Sequence, residues 1–340
     1  MERAIIHSNL TKNEIQPKSL VDEYNRLFQE DIQRLLQGAT LHQANCPVTG
    51  EQKTQYSFQK MGMQYHVSHT FGNIFLSPCP SIDLVKNFYR ESNARKFWLT
   101  ELNAKTAEIR LEKIILPQFE WVKGFLSQYI SENNQIRMGE FLPNHWSYLL
   151  ASNDLFPHAD YKLIEILFDI NVSNSLVTEE EICDETKIES LDVALLFESL
   201  ERSVSPLDLL KQVKNSLKPG GLCFITCLLA SGFEVKILGE ESDIFIPLER
   251  INLLSFEGMN ALIKKVGGLE ILEFSTPAIL DIPNVKSKLK QLKRIPFFDY
   301  IFNKRQNQDL VESFQDFLQM NRLGTFGRLV LRKKSTSNSN

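Results

Sequence analysis

The chain of 340 residues is long enough for two or three compact units, and its 43% hydrophobic and 24% charged content is that of an ordinary soluble globular protein. A net charge of −4 argues against wholesale binding to nucleic acid or to a membrane surface. Five scattered cysteines outline no disulfide framework and point to a reducing cytoplasm; the longest uncharged apolar stretch, LCFITCLLA, is too short to span a bilayer.

No basic-then-apolar leader opens the chain. Residues 17–37 carry Leu20, Val21, Tyr24, Leu27, Phe28, Ile32 and Leu35 at three- and four-residue steps, which predicts a helix closed by Gly38. Residues 39–80 are polar and small, with short strand-like pieces. From Ser81 a helical zone runs to about residue 133, with a break expected at Pro117. Beyond it, short apolar strands are predicted at 134–141, 161–166, 193–197, 222–229 and 269–275, with helical patterns between them. The clearest helix is 206–217, with Ser205 as a cap and Pro206 in the first turn. A basic helical insertion (about 285–319) contains Lys286, Lys288, Lys290, Lys293 and Arg294, which read as a solvated face or a contact for an acidic partner or a phosphate-bearing substrate. A last strand is predicted at 328–334, and residues 335–340 form a tail. Alternation of this kind predicts an α/β sheet with helices on both faces.

With the elements placed, residues 191–226 resemble the second half of a class I S-adenosylmethionine-dependent methyltransferase. The fourth strand ends in Phe197-Glu198-Ser199-Leu200-Glu201-Arg202, with Arg202 where the family usually has His, and a Leu-Lys-Pro-Gly-Gly turn leads to the fifth strand. Further on, Gly232-Phe233-Glu234, Arg250-Ile251-Asn252 and Ser275-Thr276-Pro277 resemble a bacterial subgroup with an N-terminal zinc-ribbon-like module. CPVTG and FGNIFLSPCPS, upstream, resemble that module. The resemblance implies a Rossmann-like seven-stranded methyltransferase sheet with an N-terminal helical and ribbon-like extension. It divides the chain into a module at 1–80, a helical linker at 81–133 and the methyltransferase-like domain at 134–334. The implied cofactor is S-adenosylmethionine, and the implied acceptor is a small molecule or glycan rather than nucleic acid.

Two motifs depart from the family. The glycine-rich cofactor loop should follow the first strand, but QIRMGEFLPNHW keeps only Gly139, with Phe141, Leu142 and Pro143 in place of flexible residues. In the ribbon, Cys46 lacks its partner at Thr49, and Ser68 and Phe71 fill the second pair's places. The alternative set Cys46, His66, His69 and Cys79 asks strand residues three apart to share a face, so a metal-free packed remnant is expected.

The cofactor residues implied by the resemblance are Gly139, Glu140, Phe197 and Glu165, the last as the second-strand acid for the ribose. The third-strand acid falls near Asp184 or Glu185. Glu198 and Glu201, at the carboxyl end of the fourth strand, are placed to orient the acceptor or take its proton, and His145 is a further candidate base. Cys223 and Cys227 read as core thiols. The alternative is a methyltransferase-like fold without catalysis that acts as a binding or scaffold protein. A nicotinamide enzyme is excluded because no Gly-x-Gly-x-x-Gly follows a strand.

Overall fold

The computed structural model describes residues 5–129, 135–168, 171, 177–183, 189–289, 292, 296–305 and 307–335. Asp184, Glu185, Lys290, Lys293 and Arg294 lie outside the described residues.

Thirteen strands are formed among these residues, in three sheets. The first five are β1 (Leu41–His42), β2 (Thr54–Lys60), β3 (Met63–Ser68), β4 (Ile74–Leu76) and β5 (Cys79–Pro80). They are followed by β6 (Arg137–Phe141), β7 (Asp160–Ile164), β8 (Ile182–Cys183), β9 (Leu191–Phe197) and β10 (Leu217–Leu228). The last are β11 (Asn252–Leu253), β12 (Leu269–Ser275) and β13 (Phe326–Lys333).

The main sheet has the order β12-β13-β10-β9-β6-β7-β8. Strand β13 runs antiparallel to both neighbours, while β8, β7, β6, β9 and β10 pair in parallel. Numbered within this sheet alone, the order is 6-7-5-4-1-2-3, the Rossmann-like methyltransferase arrangement that the resemblance implies. The parallel strands are buried on both faces and therefore read as continuous apolar runs, as in Leu191–Phe197. The chain winds outward from β6 to β8 and then jumps back to β9, so the topological switch lies between β6 and β9.

Helices cover both faces. Leu116–Tyr129 and Ser147–Leu155 lie on one side, packing Phe119, Val122 and Leu149 against Met138, Leu195 and Phe224. Pro206–Ser216 and Phe256–Val266 lie on the other, with Leu210, Val213 and Leu262 against Leu196 and Ile225. Cys223 and Cys227 are buried there with free thiols.

Two local expectations are corrected. The helical zone does not break at Pro117: the turn before it, Leu111–Ile115, widens to a π-helical register, and helix continues through Leu116–Tyr129. A wider turn accommodates the ring and the missing amide proton. Ser205 does not cap its helix through the backbone; its hydroxyl donates instead to Asp208 at 2.8 Å.

The N-terminal strands form a four-stranded antiparallel sheet, β11-β4-β3-β2, whose outer member β11 comes from the segment before helix Phe256–Val266. Tyr65, Val67 and Phe75 share one apolar core with Leu196 and Ile225 of the main sheet.

Two turns in this N-terminal region are built alike. In each, a glycine in the left-handed region, Gly50 (φ 76°) or Gly72 (φ 65°), donates its amide to the residue four earlier, Cys46 (2.8 Å) or Ser68 (3.2 Å). Asn73 joins them. Its amide nitrogen donates to Ser68 Oγ (2.9 Å), its Nδ2 to Cys46 Sγ (3.5 Å), and its Oδ1 accepts from the Ser255 amide (2.9 Å). His66 instead meets the Ser77 carbonyl at 3.1 Å. Among the described residues, no three His, Cys, Asp or Glu side chains gather as a metal ion would require. Asn73→Ala leaves the buried Ser255 amide unpaired and is expected to cost about 1–3 kcal/mol. Urea unfolding measures the loss, and a metal chelator is expected to leave the wild-type midpoint unchanged.

Candidate functional site

Three adjacent strands leave the sheet at the same rim through a non-glycine residue in the left-handed region: Leu142 (φ 49°) after β6, Glu165 (φ 53°) after β7 and Glu198 (φ 53°) after β9. Each amide is tied to the neighbouring strand: Leu142 to the Ile164 carbonyl (2.9 Å), Glu165 to that of Cys183 (3.1 Å), and Glu198 to that of Thr226 (2.8 Å). A side chain at such a φ costs on the order of 1–3 kcal/mol and persists where its surroundings over-determine it. This is the carboxyl rim beside the switch between β6 and β9, where α/β sheets of this kind hold ligands.

The stretch after β6 turns sharply at Leu142 and enters helix Ser147–Leu155. The side chains of Phe141 and Leu142 are buried in the core under helix Pro206–Ser216 rather than projecting from the rim. The carbonyls are engaged from below: Ser199 Oγ donates to Phe141 O (2.7 Å), Arg202 Nη2 to Leu142 O (3.2 Å), and Arg95 Nη2 to Asn144 O (3.0 Å). Pro143 has no amide proton. Among the described residues, the amides of Asn144, His145 and Trp146 have no hydrogen-bond acceptor, so these donors stand free at the helix start.

Gly139 lies inside β6, not in the loop. A Cβ there would stand 2.5 Å from Ile164 Cδ1 and 2.8 Å from Leu191 Cδ1, so the glycine is needed for packing between strands. Glu140, next along, points to the opposite face, is buried and accepts from Tyr161 OH at 2.8 Å. Burial pushes its carboxyl up to about 7, against the opposing effect of that hydrogen bond and of Arg202. Glu165 accepts from Gln212 Nε2 at 2.7 Å, which draws its carboxylate toward helix Pro206–Ser216.

The floor on the other face is aromatic. Phe197 meets Tyr148 (ring centroids 4.5 Å apart), which stacks on His145 (5.4 Å), itself 5.5 Å from Trp98. Tyr148 OH donates to Gln118 Oε1 at 2.5 Å. His145 Nδ1 accepts the Ser147 amide at 3.2 Å. Burial, followed by the charges of Arg95, Arg202 and Arg110, holds the imidazole pKa well below its ordinary value. With Nδ1 occupied, the neutral ring carries its proton on Nε2 and presents a donor, not a base, to a ligand.

Glu198 pairs with Arg250 Nη2 at 2.6 Å and remains partly open to solvent. Glu201 is buried and accepts the Leu228 amide through Oε1, while its Oε2 has no partner. Burial, and then the charge of Glu198, raise Glu201 to about 7. The hydroxyl of Tyr89 and the Nε atoms of Arg202 and Arg250 are also buried without partners. The geometry thus brings Glu198, Glu201, Phe197 and His145 to one rim, and turns Gly139 and Glu165 into packing and inter-element contacts.

Sequence reasoning missed Arg95. It is 1% exposed, pairs with Glu249 at 3.0 Å, and lies 4.8 Å from the Tyr89 ring and 4.5 Å from Trp98. Tyr24 OH donates to the same Glu249 at 2.5 Å. The N-terminal helix Lys18–Leu36, the linker and the loop after β6 therefore meet at one buried ion pair. Its partners are 154 positions apart, beyond any local pattern.

No family model matches the chain, and no curated protein matches it in sequence. Among solved structures, the chain is similar to phosphoethanolamine N-methyltransferase 2 of Haemonchus contortus in complex with S-adenosyl-L-methionine. The identity is 13% and the TM-score 0.44, over 83% of this chain and 71% of that one. It is similar to the plantazolicin methyltransferase BpumL in complex with SAH at 14% identity and TM-score 0.42, over 74% of this chain and 94% of that one. It is also similar to the (4+2)-cyclase SpnF at 10% identity and TM-score 0.37, over 63% and 80%. Likeness at this level does not transfer an activity.

Proposed function

We propose that the protein is an S-adenosylmethionine-dependent methyltransferase acting on a small-molecule or glycan-type acceptor. The observation that carries this reading is the set of left-handed exits at Leu142, Glu165 and Glu198, on a sheet of order 6-7-5-4-1-2-3. Backbone of this kind supplies at Leu142 the turn that glycine makes in the family's loop. The free amides at 144–146 suit the cofactor's carboxylate, and Trp98, His145, Tyr148 and Phe197 suit its apolar and aromatic parts.

When bound, the cofactor supplies an electrophilic methyl group for in-line displacement, a reaction that asks the protein mainly for proximity and orientation. Glu198 is the best-placed proton acceptor: it is accessible, lies at the switch point and is held by Arg250. Glu201 lies behind it, out of solvent, and supports that geometry through the Leu228 amide. His145 donates a hydrogen bond through Nε2.

Calorimetric titration of S-adenosylhomocysteine tests the reading, and saturable binding is expected. Leu142→Met keeps a side chain unbranched at Cβ and is expected to leave affinity unchanged. Leu142→Val places a β-branched residue at φ 49° and is expected to weaken binding about 5- to 100-fold. No heat at millimolar ligand removes the enzyme reading. It would leave the second reading, a non-catalytic scaffold, which the Glu165–Gln212 bond at 2.7 Å favours because it occupies the acid assigned to the ribose.

A further inference from the structure

Phe197, Thr226 and Arg328 form one lateral row across β9, β10 and β13. Thr226 pairs with Phe197 in the parallel register and with Arg328 in the antiparallel one. Alternation along the strands puts Thr226 on the face of Phe224 and Arg328 on that of Val330, the face covered by helix Leu116–Tyr129. The row lies just beneath Glu198, whose amide donates to the carbonyl (2.8 Å) and the hydroxyl (3.2 Å) of Thr226.

Two arginines on this face of β13 lie over aromatic rings of the same helix, and only one is paired. Arg332 lies 5.5 Å from the Tyr129 ring and forms an ion pair with Glu270 at 2.6 Å. Arg328 lies 5.2 Å from the Trp121 ring, but the acid beside it, Glu273, accepts instead from Trp121 Nε1 at 2.9 Å and from the Ser275 hydroxyl. Among the described residues the Arg328 side chain makes no hydrogen bond or ion pair, and its Nε is buried without a partner. Burial lowers its pKa, partly offset by Glu273 and Tyr148. A guanidinium offers five donors in a planar fork that matches an oxyanion bidentately; Arg328 is part-buried, with its Nε enclosed and its terminal nitrogens unpaired.

We propose that Arg328 receives an oxyanion, a carboxylate or a phosphate, carried by the methyl acceptor, with Trp121 and Phe197 flanking the rest of that molecule. The cation then lies two strands from the exit at Glu198, about 10 Å at the usual strand spacing. This separates the acceptor's anionic end from its reacting atom by the length of a small metabolite or one sugar unit. The inference rests on the acceptor side of the proposed function.

The test is calorimetric titration of inorganic phosphate and of succinate into the full chain at tens of millimolar, with and without S-adenosylhomocysteine. One of the two anions is expected to bind, and which one does distinguishes phosphate from carboxylate acceptors. Arg328→Met keeps the stem over Trp121 and is expected to weaken binding at least about tenfold, with Arg328→Lys intermediate. Arg332→Met, on the paired neighbour, is expected to leave it unchanged. Equal affinities in wild type and Arg328→Met, or no binding of either anion, overturn the proposal. The S-adenosylhomocysteine titration separates it from the enzyme reading: cofactor binding without anion binding sinks only the anion site, and the reverse result sinks only the methyltransferase. Thermal melts of each variant show whether it is folded, and a folded Arg328→Lys keeps the test decisive if Arg328→Met does not fold.

Discussion

Replacing Arg95 with Met is expected to lower the unfolding free energy by about 3–5 kcal/mol, the usual cost of leaving a buried charge without its partner. Arg95 is fully enclosed: its Nη atoms reach Glu249 at 3.0 Å and the Asn144 carbonyl at 3.0 Å, the rings of Tyr89 and Trp98 lie against it, and only its Nε is buried without a partner. Removing it strands Glu249, which then keeps only the Tyr24 hydroxyl and the neighbouring charge of Arg250. Burial acts against both charges, yet the mutual attraction raises the Arg95 pKa and lowers that of Glu249. The sign follows: Glu249, depressed in the fold, contributes stability above its unfolded pKa and loses it as pH falls. Glu249→Gln alone is expected to be similarly costly. Arg95→Met with Glu249→Gln is expected to cost less than the sum, by about 0.5–3 kcal/mol of coupling. Urea midpoints at constant slope measure the cycle, and additivity would show that the two side chains do not act as a pair. Because Arg95 also holds the Asn144 carbonyl, the same substitution is expected to weaken S-adenosylhomocysteine binding.

The centre of the main sheet was legible because parallel strands buried on both faces are written as apolar runs, as in β9; the antiparallel edge strand β12 was bounded correctly at both ends by its own apolar pattern. Strand β8, two residues long, left no such trace. The rim was less legible. A glycine announces a left-handed turn, whereas Leu142, Glu165 and Glu198 carry no sign of one; their conformation is imposed by hydrogen bonds to the next strand. The same reasoning gave weight to Gly139, whose role is close packing against Ile164 and Leu191. Ser205 and Pro117 show local rules overridden by a nearby acid and by a widened turn. The Asn73 bridge was invisible because its bonds join residues 5, 27 and 182 positions apart. Arg328 looked like one basic residue in a terminal strand, and only the contrast with Arg332 in the folded chain marks it.

Stability is expected to fall as pH rises from about 5 to 8, the opposite of the trend set by ordinary paired carboxylates. Three buried acids are responsible. Glu140, Glu201 and Asp281 are each raised to about 7, in every case first by burial. Hydrogen bonds offset part of this: Tyr161 OH to Glu140, the Leu228 amide to Glu201, and the Thr325 amide to Asp281 at 2.9 Å. In the unfolded chain these groups titrate near 4, so between that pH and about 7 the folded state binds more protons. Their contribution is fully present below the unfolded pKa and is lost as pH rises through the folded one. Each is worth about 1.4 kcal/mol per pH unit within that window, or about 2–4 kcal/mol in all. Urea unfolding at pH 5, 6, 7 and 8 is expected to show the decline. Glu140→Gln and Glu201→Gln, which mimic the protonated acid, are each expected to flatten it by about one proton's slope. Curves parallel to wild type in both variants would show that these groups are not protonated in the fold. A neutral Glu201 has a consequence at the rim. It removes one of the three carboxylates whose charges act on Arg250, beside Glu249 and the directly paired Glu198 at 2.6 Å. As Glu201 ionises, Arg250 is shared, and Glu198 loses part of the partner that orients it. An acceptor-dependent rate is therefore expected to carry an alkaline-side loss near the Glu201 pKa, absent in Glu201→Gln.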